Sequence, residues 1–413
     1  GHEAGYKTTP VTQSRIISGL IPCNMLPDEI ITDHPGRFRA MLIESANPVH
    51  SLADAKRMRE ALAALDLVVV IDVAMTETAQ EADYVLPASS QYEKPEMTFF
   101  NFEFPENCAQ LRTPLMPALP GTLSEPEIHA RLLEAIDPFD DDELEPLRIA
   151  ASNGLEAYAM AYGAAAKVNP KITHYGVYVL YRTLGPSLAE GMAESAALWG
   201  VAQMFAATEA PSLARAGFHG APMQAGNKFF ETLLAAQSGL VFSVDEPEDS
   251  FRRNRLAGGS VNLHLPEMLD KILALDDYAA AETTTEFPLV LSAGERRSHT
   301  ANTVVRDPAW AKSNNAQTLA VNPADAASLG IGDGSTARLT TARDSVEVVV
   351  ELDKRMLPGT ISLPNGFGLS YPDAQGNEVV TGISPNELTA GEDHDDFAYT
   401  PWHKFVLARL ERP

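Results

Sequence analysis

Between Phe38 and Asp72 the chain runs through a short apolar stretch, a helical repeat and a β-branched stretch, and this order restricts its fold more than any other feature. Phe38–Ser45 (FRAMLIES) suits a buried strand, and Asn47-Pro48 breaks it. Ser51 with Asp54 three residues on has the form of a capping box, after which Ala55, Met58, Leu62 and Leu65 fall on one helical face. Leu67–Ile71 (LVVVI) then ends in Asp72. Strand, helix and strand of these lengths predict a right-handed βαβ unit in a parallel sheet.

Beyond Asp72, Thr76 is suited to cap a short helix, and Ala82–Pro87 reads as a third strand closed by proline. In open α/β sheets ligands lie beyond the carboxyl ends of the strands, marked here by Asn47, Asp72 and Pro87. Asn47 and Asp72 are thereby candidate binding residues. No G-x-G-x-x-G follows either strand, so the ordinary dinucleotide fingerprint is absent. The stretch up to Pro35 has no sustained period and reads as loop and short elements; its start at Gly1-His2-Glu3, without Met or a leader pattern, suggests a processed or split beginning.

A helix is expected after Glu125-Pro126, and the acidic run Asp140–Glu143 with Glu145 marks a solvated turn or linker. Residues 150–285 are rich in Ala, Met and Leu at helical spacing, punctuated by Pro170, Pro186, Pro211, Pro222 and Pro266, which predicts a mainly helical segment. Tyr175, Tyr178 and Tyr181 read as core packing, and Arg252-Arg253 with Arg255 as a solvated basic turn. From Phe287 the pattern changes to short β-branched runs at 287–292, 318–321, 335–341, 345–352 and 359–363, which predicts a compact barrel. One helix interrupts it, capped by Asn322, opened by Pro323 and ended at Gly330. Gly330, Gly332 and Gly334 read as a turn, since a strand follows them.

Charge narrows the ligands. With 31 Lys+Arg against 56 Asp+Glu the formal net charge is −25, which argues against nucleic acid or an anionic membrane as the main partner. Any anionic ligand then needs a local basic site. Cys23 and Cys108 alone exclude a disulfide scaffold, a zinc ribbon and an iron–sulfur cluster ligated by this chain by itself. No apolar stretch reaches the roughly 20 residues of a membrane span; the candidate at 188–207 is interrupted by Glu190, Glu194 and Gln203. A soluble, cytoplasmic protein is expected.

The common catalytic signatures HExxH, GxSxG and GxxxxGK[ST] are missing, and the 10 histidines are scattered singly, so that His34, His50, His129 and His264 read as structural or solvated. The strongest basic constellation follows the 287–292 strand: Gly294, Glu295, Arg296, Arg297, Ser298, His299, Thr300, Ala301 and Asn302. Its forked donors and hydroxyls suit a pyrophosphate or an electron-rich heterocycle, and equally a surface loop whose arginines pair with acids. A second polar cluster comprises Ser384–Thr389, with Asn386, and Thr400–Lys404, with Trp402, His403 and Lys404.

Asn47-Pro48, the run LVVVIDVAMTETAQEADYVLPA, Glu93-Lys94, Asn322–Ala326 and Leu329–Gly334, taken in this order, resemble the molybdopterin oxidoreductases of the dimethyl sulfoxide reductase type, nearest to the formate-dehydrogenase-like branch. The resemblance covers both ends of the chain well and 150–285 loosely. It implies an enzyme holding molybdenum or tungsten between two molybdopterin guanine dinucleotides (MGD), with an iron–sulfur cluster in the complete enzyme. It also implies a guanosine-binding α/β domain and a C-terminal double-psi-like β-barrel. Asp72 then matches the acid that recognises guanine or ribose, with Asn47 and Thr76 nearby. The Gly294–Asn302 loop, with Arg296, Arg297, His299, Thr300 and Asn302, matches the loop contacting pterin and phosphates, and Asn386, His403 and Lys404 match late cofactor contacts.

Neither the cysteine cluster nor the metal-ligating residue of that family is present, and neither Cys23 nor Cys108 matches the ligand position. The expected organisation is therefore a partial α/β MGD-binding domain at 1–135, a mainly helical connection at 136–285 and a dinucleotide-binding barrel at 286–413. The expected partners are a missing N-terminal half or a complementary subunit, and electron-transfer subunits. A non-catalytic scaffold that keeps this fold without the cofactor is the alternative.

Overall fold

A computed structural model describes residues 7–98, 103–136, 138–140, 142–236, 238–254, 256–261, 263–275, 283–295, 306–307 and 317–413. The chain forms two compact units, one of residues 1–85 with 262–413 and one of residues 86–261. No helix among the described residues is long and apolar enough to cross a membrane.

The first unit begins with the expected βαβ motif. After helix α1 (Leu26–Ile31), strand β1 (Ala40–Glu44) pairs in parallel with β2 (Leu67–Asp72), Ala40 opposite Leu67 and Glu44 opposite Ile71. A third strand, β3 (Tyr84–Pro87), follows β2 in the sheet. Between β1 and β2 lie a one-turn helix, α2 (Pro48–Ser51), and α3 (Ala55–Ala63). Met58 and Leu62 of α3 bury against Ile43, Val68 and Val70, the alternating positions of one sheet face. The cap of α3 differs from expectation. Asn47-Pro48 starts its own helical turn, so the Ser51 hydroxyl donates back to the Asn47 carbonyl (2.8 Å), and Asp54 accepts the Arg57 N–H instead (3.1 Å).

Residues 86–261 are mainly helical, with an antiparallel sheet that the Ala-rich pattern concealed. It orders β4 (Glu96–Thr98), β5 (Glu106–Arg112) and β6 (Leu240–Val244), the last brought back from far along the chain. The helices are α4 (Glu125–Glu134), α5 (Glu145–Ser152), α6 (Leu155–Val168), α7 (Lys171–His174), α8 (Gly176–Thr183), α9 (Ala197–Thr208), α10 (Ala210–Arg215), α11 (Pro222–Ala235) and α12 (Pro247–Arg253). Proline opens α4, α5, α10, α11 and α12, where its missing N–H costs nothing. Tyr158, Trp199 and Phe230 are buried in the core, and Tyr158 shares a 2.7 Å hydrogen bond with Thr183. Tyr175 and Tyr178 pack against this core as expected. Arg252 and Arg253 correct the basic-turn reading: they end α12 and pair with Glu209, Asp245 and Asp249, while Arg255 lies outside the described residues.

The chain then returns to the first unit through α13 (Pro266–Leu273) and builds the barrel. Its strands are β7 (Leu289–Glu295), β8 (Thr318–Val321), β9 (Thr336–Thr341), β10 (Ser345–Leu352), β11 (Thr360–Pro364) and, beyond the hairpin β12 (Leu369–Pro372) and β13 (Glu378–Thr381), β14 (Val406–Glu411). They close in the order β10-β8-β11-β7-β14-β9. Leu291, Leu319, Val321, Leu339, Ile361 and Leu363 fill the interior. Helix α14 (Pro323–Leu329) sits as expected, with Asn322 accepting the Ala324 N–H (2.8 Å) and Gly330 left-handed at its end. Strand β14 was not anticipated; its short VLARLE run is an amphipathic alternation with a basic residue inside it.

Asp54 ties the α/β layer to this barrel. It is 2% exposed, caps α3, and accepts a 2.9 Å hydrogen bond from Arg343 Nε. Asp54→Ala removes the cap and strands the arginine, so a loss of about 2–4 kcal/mol is expected. Asp54→Asn keeps the cap and is expected to lose about half as much; urea unfolding of both variants measures the difference.

Within residues 86–261, Glu127 receives Arg182, Arg131 and Tyr181. Burial raises its carboxyl, but these three donors outweigh burial and hold it at about 2. A carboxylate lowered by folding adds stability above its unfolded value near 4.5 and surrenders it as pH falls through the folded value. Glu127→Gln is therefore expected to cost about 1–2 kcal/mol at neutral pH and to flatten the loss of stability between those two values, as read from denaturant midpoints against pH.

Candidate functional site

Segments far apart in sequence end at one cleft of about 340 Å³ within the unit of residues 1–85 and 262–413. The end of α2 contributes Ser51, the end of β7 contributes Gly294, the turn after β11 contributes Asn365, the turn at 384–386 contributes Asn386, and the approach to β14 contributes His403 and Lys404. Its size falls at the small end of the usual ligand range of about 300–1,000 Å³.

Asn386 and Lys404 are held by their neighbours. Asn386 Nδ2 donates to the His50 carbonyl (2.7 Å), its N–H donates to Ser384 Oγ (3.3 Å), and its Oδ1 has no protein donor among the described residues. Lys404 Nζ donates to the carbonyls of Ala293 and Gly294, both at 2.9 Å, and so fixes the end of β7. Gly294 has φ +79, a left-handed conformation that glycine adopts without strain. Burial first, and the Lys404 ammonium second, push the His403 imidazole below its ordinary value. The ring is neutral at pH 7 and offers one donor and one acceptor nitrogen. Asn365 Oδ1 is buried with no hydrogen-bond partner among the described residues. A buried acceptor without a donor costs about 1–3 kcal/mol, which a ligand N–H would relieve.

Four of the residues singled out from sequence, Gly294, Asn386, His403 and Lys404, are thus brought together. Three others lie in the α/β layer. Asn47 spends its amide internally: Oδ1 accepts from the Thr78 N–H (3.1 Å) and hydroxyl (2.8 Å), and Nδ2 donates to Glu77 Oε2 (2.7 Å). Thr76 is buried and accepts the Ala79 N–H (3.1 Å). Asp72, at the carboxyl end of β2, accepts the Ala74 N–H through Oδ1 (3.2 Å) and leaves Oδ2 without a donor among the described residues. Arg296, Arg297, His299, Thr300 and Asn302 lie outside the described residues.

Sequence reading missed Asn365, whose signal was the Pro364-Asn365-Gly366 turn directly after a barrel strand. It also missed Glu77, which accepts from Asn47, from the Ser370 N–H (2.9 Å) and from Arg306 (2.5 Å). Burial raises the Glu77 carboxyl, but these donors outweigh it and leave it below the ordinary carboxylate range. His50 is buried in α2, and burial first pushes its imidazole down, with Glu77 opposing. The described cleft therefore presents amide oxygens, a neutral imidazole and one lysine. That set matches a flat heterocycle carrying both N–H donors and ring acceptors better than it matches a polyanion.

Residues 20–115 match the molybdopterin oxidoreductase family and residues 289–407 the molydopterin dinucleotide binding domain. Over 399 residues the chain is 24% identical to the probable oxidoreductase YoaE of Bacillus subtilis, covering 94% of this chain and 48% of that protein. It is 35% identical over 102 residues to a trimethylamine-N-oxide reductase of Vibrio vulnificus (23% of this chain, 12% of that one). It is 41% identical over 75 residues to the F420-dependent formate dehydrogenase subunit alpha of Methanocaldococcus jannaschii (18% and 11%). In fold it is similar to the acetylene hydratase of Pelobacter acetylenicus, with a TM-score of 0.51 and 17% identity over 96% of this chain and 47% of that one. The chain thus spans about half the length of the first of these relatives and of this structure. With these matches at 20–115 and 289–407, the chain carries the molybdopterin oxidoreductase and molydopterin dinucleotide binding domains, and its relatives are consistent with the dimethyl sulfoxide reductase type.

Proposed function

We propose that this chain is the C-terminal cofactor-binding part of a larger bis-MGD oxidoreductase that carries out two-electron redox or oxygen-atom transfer on a small substrate. The observation that carries the reading is the buried, unpartnered Asn365 Oδ1 on a cleft shared with Asn386 and neutral His403. When bound, the cofactor supplies a molybdenum or tungsten centre able to change oxidation state by two electrons.

The chain's own residues bind and orient. Asn365 Oδ1 accepts a pterin N–H, and Asn386 and His403 offer further partners on the same cleft. Lys404 holds the β7 carbonyls so that Gly294, which has no side chain, lets backbone approach the ring. Asp72 accepts from the adjacent N–H donors of guanine, a pairing that needs two acceptor oxygens. Asn47, with Glu77 and Thr78, keeps the loop after β2 in shape around it, and the Thr76 hydroxyl braces the turn that follows. The diphosphate is assigned to Arg296, Arg297, His299, Thr300 and Asn302. Relatives named for formate dehydrogenase and trimethylamine-N-oxide reductase support a small polar substrate, with formate the first to test. A complementary polypeptide and electron-transfer subunits complete the enzyme in this reading.

The holoenzyme tests it. Asn365→Ala and Asp72→Asn are each expected to weaken cofactor retention by about tenfold or more, the equivalent of one charged or buried hydrogen bond. Guanine nucleotide released by acid from purified protein reads this out. Asn365→Ala is further expected to leave the cofactor-free chain as stable as before, since it deletes an unsatisfied group. Undiminished guanine in both variants would reject the assignment.

We also propose that this chain by itself is redox-inert, because one dinucleotide half-site does not close around two pterins. Elemental analysis of the isolated chain is expected to find molybdenum and tungsten far below one equivalent, and no dye reduction with formate. Near-stoichiometric metal, or turnover, would overturn that.

A further inference from the structure

A second polar cavity, of about 260 Å³, lies wholly within residues 86–261 and plays no part in the cofactor reading. Lys94, Glu96, Glu125, Glu194 and Ser195 line it, so three carboxylates face one ammonium. That ammonium is committed: Lys94 Nζ, on a side chain only 11% exposed, donates to the Ser89 carbonyl (3.0 Å) and pairs with Glu125. Glu194 Oε1 accepts the Ser124 hydroxyl (2.8 Å), which holds the carboxylate in place and leaves its second oxygen without a donor among the described residues. Ser195, 3% exposed on the same wall, has a buried hydroxyl with no partner among the described residues. Leu111 and Leu198 supply apolar surface beside these groups.

We infer that this cavity binds a small primary alkylammonium ion. The unused polar atoms are carboxylate oxygens, which only accept, and one hydroxyl, which accepts as well as donates, so a ligand rich in donors fits them. The excess of negative charge selects a cation over a carboxylate, and the leucines select an alkyl chain over a bare ion. The ammonium gives N–H to Ser195 Oγ and to Glu194, and its chain lies along Leu111 and Leu198.

Calorimetric titration of the full chain with n-butylammonium chloride, at fixed ionic strength and with sodium n-butyrate as the control, tests this. Saturable 1:1 binding of n-butylammonium and none of butyrate is expected. Ser195→Ala and Glu194→Gln should each weaken it by about tenfold or more. Ser195→Ala removes only an unpaired hydroxyl and Glu194→Gln keeps the oxygen that receives Ser124, so both variants are expected to fold, as their urea midpoints will show. Nα-acetyl-lysinamide forms a further arm: tighter binding than n-butylammonium assigns the site to a lysine side chain of another polypeptide, and weaker binding to a free amine. No saturable binding of either, equal binding of butyrate, or unchanged affinity in both variants would overturn the inference.

Discussion

The three-stranded parallel sheet of the first unit is too small to stand by itself, and the contacts that tie its loops to the barrel are what the rest of that unit depends on. Parallel strands occur almost only with cover on their faces, and two or three of them bury too little surface for independent stability. Here the segment before β1 and the connection between β1 and β2 are fastened instead. Asn24 Nδ2 donates to the Gly391 carbonyl (2.6 Å), Asn386 to the His50 carbonyl (2.7 Å), Arg59 pairs with Glu387 (2.6 Å), and Asp54 pairs with Arg343. Each joins residues more than 280 positions apart in a chain of 413. The barrel side and the α/β loops therefore fix each other's geometry, and Asn386 serves both as a clamp and as a wall of the cleft.

Charge placement follows the same economy. The chain carries a formal net charge of −25, yet among the described residues the cleft lining has a single lysine, with His403 in it and His50 beside it both kept neutral by burial. For an imidazole whose value is lowered by folding, protonation favours the unfolded chain. The stability tied to His50 and His403 is thus present above their ordinary value near 6.5 and is lost as pH falls below it. The clamp residues Glu77 and Asp54 act differently, since the half-buried Glu77 and the buried Asp54 are each answered by an arginine, and such pairs specify geometry more than they add net stability.

Much of this was legible in the sequence where one residue carries one local meaning. The LVVVID run, the Asn322-Pro323 start of α14 and its Gly330 end each show their role within a few residues, and the structure matches them. The α3 cap was misplaced by three residues because Pro48 opens a separate turn, which makes Ser51 an end and Asp54 a beginning. Strands β4, β5 and β6 escaped because their pattern is mixed with polar side chains and because β6 pairs with β5 across well over a hundred residues, although β4 and β5 pair locally. Asn365, Glu77 and Ser195 escaped for a different reason. Nothing local distinguishes a buried amide, carboxylate or hydroxyl from a solvated one, and only the folded neighbourhood reveals whether a partner is present.

That last distinction bears on the two cavities: Asn365 and Ser195, which line them, are unsatisfied, whereas the unsatisfied Asn24 Oδ1 and Arg112 Nε line neither. Most buried polar groups of folded proteins find partners, and those of this chain do so through caps, ion pairs and backbone carbonyls. An unsatisfied one persists only if its cost is offset elsewhere. For Asn365 and Ser195 the wall of a cavity is the place where an incoming molecule can supply what the chain withholds. A group left unpaired in the free chain makes no competing internal hydrogen bond, so binding there need not break one first. The penalty carried before binding then becomes part of the affinity, and the selectivity follows from what each group lacks: a donor facing Asn365 Oδ1, and a cationic donor facing Ser195 among its carboxylates.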